Sequence, residues 1–544
     1  MKILFIVPFE YMAFVRTLYI TPLGLLSLAT ILKENNKDVE IIDFNYLFSK
    51  KILEYNDEQV KNMETMTEYI LEKSPDIVGF TGISSTFHDL LFLSRLIKNK
   101  NNNIKIISGG PQTWSLSEKI LEKFPWIDLI CTGEGENNIL HIIEGLEKND
   151  LTDVPGIIYR NNDIILQNPD IPLIEDLDRL PLLNYSLSPG GYEGKISMET
   201  SRGCPYNCIY CSTSQFWKHR FRAKSIERIC KEISLVQKIT GNNTHFINFI
   251  DDNFTTNRKF TMKLCKELQK FDITWDCSAR LDTLDEELIT EMSLSGCRAI
   301  FLGIESASPG IQKYINKNLN LQAVEPLFEL MLKNNIKPTV SFMYGFPGET
   351  EEDLNLTLNM LYSLFKKDIH QIQLHTLYIL PGTELFDKYK DKLILRDFCS
   401  KMSDNFNFKL CNSLITGNRD IFPNLYTLEN TIADKYPELD KFIIFIFTHL
   451  YRCFPETFTL ILDSFEDSLL AFYKDLLCNV DGLLDYWTAG DYWKDLSEKA
   501  GITKKSIAVL TEYINNKSFC DFRFRMISYT FCKEKDHMGN LVSQ

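Results

Sequence analysis

Short runs of β-branched and aromatic residues alternate with amphipathic stretches through the first 150 residues of the chain. Strand-like runs fall at Ile3–Val7, Val39–Phe44, Asp76–Ile83, Ile104–Ser108 and Ile127–Cys131. Helix-like stretches between them include Leu23–Leu32, Leu90–Lys98, Ser117–Phe124 and Asn138–Leu146. Such alternation is the pattern of βαβ units, in which helices cover both faces of a parallel sheet.

Five strands in this order predict a doubly wound, flavodoxin-like domain over residues 1–150, with its ligand crevice at the carboxyl ends of the strands. Residues 151–192 are dense in proline and glycine and read as a connecting arm. A second alternation fills 193–394, with strands at Ile196–Thr200, Phe246–Ile250, Thr274–Ala279, Ala299–Gly303, Thr339–Tyr344 and Gln371–Tyr378. Its helices include Ile226–Lys238, Arg258–Phe271, Leu284–Ser295, Ala323–Lys333 and Glu351–Lys366. Six βα repeats predict a full or partial parallel barrel, whose chemistry sits on the loops following the strands. From 395 to 544 the strand signal fades, and the aromatic-rich segments Tyr436–Tyr451, Phe458–Leu477 and Lys505–Ile514 predict a mainly helical third domain.

Composition narrows the class. A chain of 544 residues with 44% hydrophobic content builds more than one core. The net charge of −14 denies it the positive field that gathers polyanions, so nucleic acid is not the expected partner. The first apolar run stops at Pro8 without a small-residue cleavage site, and reads as a buried strand. The apolar run Phe442–Phe447 falls far short of the roughly 20 residues a membrane span needs. A cytoplasmic protein without a membrane span is expected, its 14 cysteines being reduced thiols or metal ligands.

One group of cysteines is tight: Cys204, Cys208 and Cys211, on the loop after the first strand of the second domain. Three thiolates on one loop can converge on one metal centre, and on a four-iron cluster they leave one iron open. A zinc site would want a fourth Cys or His, and none follows nearby; three unrelated buried thiols are the other reading. The CxxxCxxC spacing, with aromatic Tyr210 before the last cysteine, resembles the radical S-adenosylmethionine superfamily, whose fold is a partial (β/α)6 TIM-like barrel. The resemblance implies that Cys204, Cys208 and Cys211 bind a [4Fe-4S] cluster. It further implies that the open iron chelates S-adenosylmethionine and that Tyr210 lies near the adenine. An electron from a donor such as flavodoxin or ferredoxin then yields a 5′-deoxyadenosyl radical, the cofactor doing the hard chemistry. Segments at later strand ends resemble the same family: Phe249–Phe254 with Asp251, Trp275–Arg280 with Ser278 and Arg280, Gly303–Ser306 with Glu305, and Gly345–Thr350 with Gly345. Each also has a structural reading, the Gly345–Gly348 run as a turn, Glu349 and Thr350 as a helix start, and Asp251 or Asp252 as a cap.

The first domain resembles the cobalamin-binding domain that precedes the barrel in one large subgroup of that superfamily, through Thr21–Leu26, Gly82–Thr86, Gly109–Pro111 and Gly133–Glu136. What this implies is cobalamin held by Ser84, Ser85, Gly109, Gly110, Gly133, Glu134 and Gly135, glycine letting backbone approach a large ligand. The same glycines could simply end strands. The DxHxxG loop of methionine-synthase-type domains is absent, Pro8–Ala13 holding no histidine, and His88 reads as a surface or capping residue. Cys399, Cys411, Cys453, Cys478, Cys520 and Cys532 form no CxxC pair and read as buried free thiols. The first domain's single Cys131 does not match the three-cysteine pattern of tRNA methylthiotransferases. Together the resemblances imply a cobalamin-dependent radical enzyme that methylates an unactivated carbon of a small-molecule or peptide substrate. A ring-forming or rearranging enzyme without net methyl transfer, and a catalytically silent cobalamin sensor, are the alternatives.

Overall fold

The structure is a computed structural model. It describes residues 1–9, 21–189 except 57 and 163, 196–240, and 246–395 except 368 and 370. Beyond these it describes 408–429, 431–436, 439–445, Tyr451, 454–466, 468–479 and scattered positions from 509 to 535.

β1 (Lys2–Val7), β2 (Asp38–Asp43), β3 (Ile77–Thr81), β4 (Lys105–Gly109) and β5 (Leu129–Cys131) form a parallel sheet in the order β2-β1-β3-β4-β5. The order reverses between β1 and β3, and a doubly wound sheet opens its crevice at such a reversal. Both faces are covered, which is why the strands read as continuous apolar runs. Ile3 and Phe5 pack on one side with Leu25 and Leu26, while Leu4 and Ile6 pack on the other with Phe44, Met66 and Leu90. β3 is shorter than its sequence run because Gly82 turns out of the ladder, its N–H donating to the Gly109 carbonyl at 2.7 Å. A helix at Gln59–Glu72 was not expected; its buried Met63, Met66 and Ile70 keep helical spacing, diluted by polar neighbours.

The expected arm at 151–192 is corrected in part. Its β6 (Ile157–Asn161) and β7 (Ile164–Gln167) form an antiparallel hairpin that extends the first sheet beyond β5. Ile157, Ile158 and Tyr159 are buried there, so the run has enough apolar surface to add to the sheet edge. The rest of the segment is connecting chain, tied to the second domain by Arg228, which donates to the carbonyls of Asp178, Leu180 and Pro181.

After β8 (Ile196–Met198) come a two-stranded antiparallel ribbon, β9 (Ser201–Arg202) and β10 (Arg222–Ala223), and then β11 (Phe246–Phe249), β12 (Thr274–Ala279), β13 (Cys297–Glu305), β14 (Lys337–Tyr344) and β15 (Gln371–Thr376). β8 and β11 to β15 pair in parallel in chain order, the partial six-stranded barrel the sequence predicts. Trp275, Cys277 and Ala279 of β12 are buried, while Asp276 and Ser278 of the other face are half-buried, as a strand period of two requires.

The C-terminal region contributes helices at Phe408–Thr416, Pro455–Asp463 and Leu469–Asn479. Phe458 and Tyr473 pack within it and against the barrel, Phe458 lying 6.2 Å from Tyr362, ring centre to ring centre. The region also reaches the first domain: Gln112 Nε2 donates to the Ile421 carbonyl at 2.6 Å, and Lys123 pairs with Asp420 at 2.5 Å. Much of Tyr436–Tyr451 and Lys505–Ile514 lies outside the described residues. Among the described residues no helix is long and apolar enough to cross a membrane. The expectation of buried thiols in this region is corrected at Cys478, which is exposed.

Candidate functional site

The three cysteines sit on a loop that glycine makes possible. Gly203 follows β9 at φ +91°, and a Cβ there would lie 1.9 Å from the Arg220 carbonyl oxygen, so no other residue fits without moving backbone. Cys204, Cys208 and Cys211 are half-buried and unbridged. Burial pushes the Cys204 thiol up to about 11, and the neighbouring Cys211 and Cys208 add to the effect. Burial also pushes Cys208 up, against the pull of Lys317 and Arg280. Arg280 Nη1 stands 3.4 Å from Cys208 Sγ, a cation placed to balance a thiolate. Among the described residues no His, Cys, Asp or Glu trio is drawn together tightly enough for a single metal ion.

The strand ends around this loop carry buried polar atoms with open valence. Asp251, just beyond β11, accepts through Oδ1 from the Thr200 and Ser201 backbone and hydroxyl groups, while its buried Oδ2 has no partner. Burial pushes its carboxyl up to about 6. Asn253 accepts from Arg280 N and Thr255 Oγ1 through Oδ1, leaving buried Nδ2 unpartnered. Glu349 Oε2 accepts from the Gly345 and Phe346 amides at 2.5 and 3.1 Å, while Oε1 is buried and unpartnered. Burial pushes Glu349 up to about 7. Buried polar groups are almost always satisfied, so two acceptors and one donor left open around a cysteine loop mark a place for a polar ligand.

Other expected residues are occupied with one another. Arg280 is clamped by Asp282 at 2.9 and 2.8 Å and stacks on Tyr206 at 3.8 Å. Glu305 takes φ +70° at a bulge that ends β13, and accepts from Lys317 Nζ at 2.7 Å and Tyr210 Oη at 3.1 Å. Burial, with Glu305 second, holds the Tyr210 phenol well above its usual range. Ser278 is half-buried, on the face of β12 that it shares with Asp276. Gly345 is at φ +92° with Ala433 Cβ 2.8 Å from where its own would be, so packing against the C-terminal region already demands glycine.

Between the two domains lies a cavity of about 350 Å³. Gly24, Gly109, Gly110, Gly133, Glu134, Gly135 and Glu136 line it from the first domain, and Arg202, Ser212, Thr213, Phe216, Trp217 and Asp252 from the barrel. The glycines divide by cause. Gly110 (φ +98°) and Gly133, whose Cβ would come 2.4 Å from Ile171, are demanded by the fold. A Cβ at Gly24 would meet nothing within 4 Å, and one at Gly109 only ordinary contact at 3.6 Å, so at these two positions it is the cavity that lacks the side chain. Glu134 accepts from Arg202 Nη1 at 2.7 Å, Arg222 Nη1 at 2.6 Å and the Ile174 amide at 2.7 Å. Burial opposes the charge on Glu136, yet Arg202 at 2.7 Å holds its carboxyl below the usual range.

The structure thus brings Gly109, Gly110, Gly133, Glu134 and Gly135 to one cavity, and leaves Ser84 and Ser85 outside its lining. Ser84 Oγ donates to Gln112 Oε1 at 2.6 Å, and its carbonyl accepts from Asn424, so it serves the contact with the C-terminal region. His88 lies within helix Phe87–Lys100, largely buried, 3.5 Å from Asp89, instead of at the surface. Sequence reasoning did not single out Gly24, Asn253, Lys317 or Arg222, and gave Glu349 within the Gly345–Thr350 segment that resembles the family, with a helix start as the other reading. Thr350 is the cap, in a capping box with Asp353, which frees Glu349 to turn inward. Gly24, Asn253 and Glu349 stand in segments already notable; Lys317 and Arg222 carry no local signal.

Comparison with known proteins agrees with this arrangement. The Radical SAM superfamily model matches residues 198–361 and the B12 binding domain model residues 12–143. An uncharacterized methyltransferase of Pyrococcus horikoshii is 32% identical over 398 residues, covering 71% of this chain and 83% of that protein. The anaerobic magnesium-protoporphyrin IX monomethyl ester cyclase of Rubrivivax gelatinosus is 28% identical over 361 residues, 63% of each chain. Among solved structures, the cobalamin-dependent S-adenosylmethionine radical enzyme OxsB, with aqua-cobalamin and S-adenosylmethionine bound, superposes with a TM-score of 0.63 at 16% identity, over 99% of this chain and 84% of that one. The chain belongs to the radical S-adenosylmethionine enzymes that carry an N-terminal cobalamin-binding domain.

Proposed function

We propose that the chain is a cobalamin-dependent radical S-adenosylmethionine methyltransferase acting on an unactivated carbon. The observation that carries the reading is the shared cavity. The helix that follows Cys211 supplies Ser212, Thr213 and Phe216 to its barrel wall, and the glycine loops of the first domain supply the opposite wall. When bound, the [4Fe-4S] cluster and S-adenosylmethionine supply the radical, and cobalamin carries the methyl group.

The chain's own residues have definable tasks. Cys204, Cys208 and Cys211 hold the cluster, and Arg280 and Lys317 compensate its negative sulfurs. The open Oδ2 of Asp251, Nδ2 of Asn253 and Oε1 of Glu349 fit the polar groups of S-adenosylmethionine, with Ser278, Tyr210, Glu305 and Gly345 bordering it. Gly24, Gly109, Gly110, Gly133 and Gly135 would leave room for a corrin ring, and apolar Phe5, Leu25 and Ile107 of the same cavity would help exclude water. A flavodoxin or ferredoxin delivers the electron, the substrate is a small molecule or peptide, and the setting is the reducing cell interior.

The test is anaerobic preparation with hydroxocobalamin, quantification of iron, sulfide and corrinoid, and detection of 5′-deoxyadenosine after reduction. Product mass then separates the chemistry. A gain of one methylene supports transfer, whereas loss of hydrogen supports ring closure, the activity named for the Rubrivivax relative. A protein that holds no iron, or that leaves S-adenosylmethionine intact, overturns the proposal.

A further inference from the structure

The ribbon that opens the cysteine loop has an awkward charge pattern. Arg202 of β9 and Arg222 of β10 are register partners, so two guanidinium groups stand opposite each other. Like charges directly opposite on an antiparallel pair destabilise it. Both arginines are also nearly sequestered, their side chains 9% and 4% exposed, so water does little to screen them. The compensation comes from the other domain. Glu134, 1% exposed, sits between them, giving one oxygen to each at 2.7 and 2.6 Å. Glu136 of the same first-domain loop accepts from Arg202 Nη2 at 2.7 Å, and Glu199 of the barrel accepts from the same Nη2 at 2.8 Å and from Nε at 3.0 and 3.1 Å. Trp217, which follows the helix after Cys211, packs under both guanidinium groups, at 6.0 and 5.1 Å.

We infer that Glu134 is a positioning residue for the iron–sulfur loop, although it belongs to the cobalamin domain: it bridges Arg202 and Arg222, supplies the carboxylate paired with Arg222, and so makes the shape of the cysteine loop conditional on the docked first domain. The chain of contacts is short. Arg202 precedes Gly203 and Cys204, and Gly203 N is held at 2.8 Å by Asp252, which lines the same cavity. Without Glu134, Arg202 keeps Glu136 and Glu199, but Arg222 stays buried opposite it with no carboxylate partner among the described residues, so β9 and β10 part and the loop between them loses the turn that aims its thiols. One carboxylate thereby couples the part of the molecule that holds the methyl carrier to the part that holds the radical source. The inference rests on the proposed function for the identity of the two cofactors, but its structural content does not.

Two measurements test it on the full chain. On iron-free protein, hydrogen exchange compares wild type with Glu134→Gln; faster exchange at residues 201–211 is expected, and unchanged exchange overturns the inference even if no cofactor ever binds. On anaerobically loaded protein, Glu134→Ala is expected to lose most of its iron and to broaden the electron paramagnetic resonance signal of the reduced cluster, while Glu134→Ala/Arg222→Gln regains iron because the repulsion is gone. Removal of a chance structural contact would give no such rescue. Wild-type iron and an unaltered signal in Glu134→Ala refute the coupling, whereas a wild type without iron refutes the proposed function and leaves the exchange result standing.

Discussion

Gly203→Ala is the sharpest single perturbation, because two glycines in the barrel provide matched arms. Gly203 and Gly348 both adopt positive φ, +91° and +79°. An L-residue in that region costs roughly 1–2 kcal/mol from its own Cβ, so both alanine variants carry this term. They differ in space. At Gly348 the new Cβ meets nothing within 4 Å, whereas at Gly203 it would lie 1.9 Å from the Arg220 carbonyl oxygen and 3.0 Å from Trp217 Cβ. Backbone cannot rotate away as a side chain can, and overpacking of this kind costs about 1–3 kcal/mol more. In a domain of this size each kcal/mol moves the midpoint by about 2–4 °C, so Gly203→Ala should melt several degrees below Gly348→Ala. Thermal melts of the two iron-free variants check the difference, and iron analysis of the loaded forms checks its consequence at the cysteines. Equal midpoints, with full iron in both variants, would refute the claim that glycine is required for space at this turn.

Other expectations follow from the same geometry. Gly24→Ala should raise stability by about 0.5–1 kcal/mol, since the position is helical and open, yet lower corrinoid retention because the Cβ enters the cavity; a melt paired with corrinoid quantification reads both signs. Cys204→Ala, Cys208→Ala and Cys211→Ala should each lose the cluster, and a full complement of iron in any one removes that residue from the ligand set. Burial raises Glu349 from 4.5 to about 7, so the folded chain keeps a proton that the unfolded chain releases. Its contribution is therefore intact below pH 4.5 and fades as pH rises through 7, by about 3 kcal/mol at 1.36 kcal/mol per unit. Glu349→Gln should remove that slope, and parallel stability–pH profiles for the two proteins would contradict the assignment.

How much of this was legible in the sequence depended on the range of the interaction concerned. The first parallel sheet was visible because both its faces are covered, which forces continuous apolar runs such as Ile3–Val7, and the barrel through repeated strand–helix alternation with strands of period two such as Thr274–Ala279. The three cysteines were visible because their grouping is local, a matter of spacing on one loop. The helix at Gln59–Glu72 escaped because only one face is buried and its polar residues dominate the window. The hairpin of β6 and β7 was obscured because proline and glycine flank it closely on both sides, so composition spoke louder than a few buried apolar residues. Glu134 was expected from sequence as a cobalamin contact, on the strength of the glycines beside it. Its actual partners, Arg202 and Arg222, are 68 and 88 positions away, and nothing local announces a carboxylate that must satisfy two arginines at once. The partners of Ser84, Gln112 and Asn424, are likewise supplied by chain 28 and 340 residues distant.

The pattern of these errors bears on the chemistry. Residues expected at each cofactor's place came from motifs, because a ligand of fixed shape imposes fixed spacing on a loop. Residues that hold the two places relative to each other did not, because a domain interface is specified by charge and burial across long separations. The Arg202–Glu134–Arg222 arrangement has that character: replacing it with well-packed apolar groups could cost little in stability, since desolvation offsets much of a buried ion pair's attraction. Removing Glu134 alone is costly, about 3–5 kcal/mol for a buried pair, because Arg222 stays charged and buried without its carboxylate. A network that adds little net stability yet punishes partial loss fixes geometry more than it adds strength. Fixed geometry is what a reaction split between two domains requires, since the carbon made reactive beside one cofactor must meet the group carried by the other.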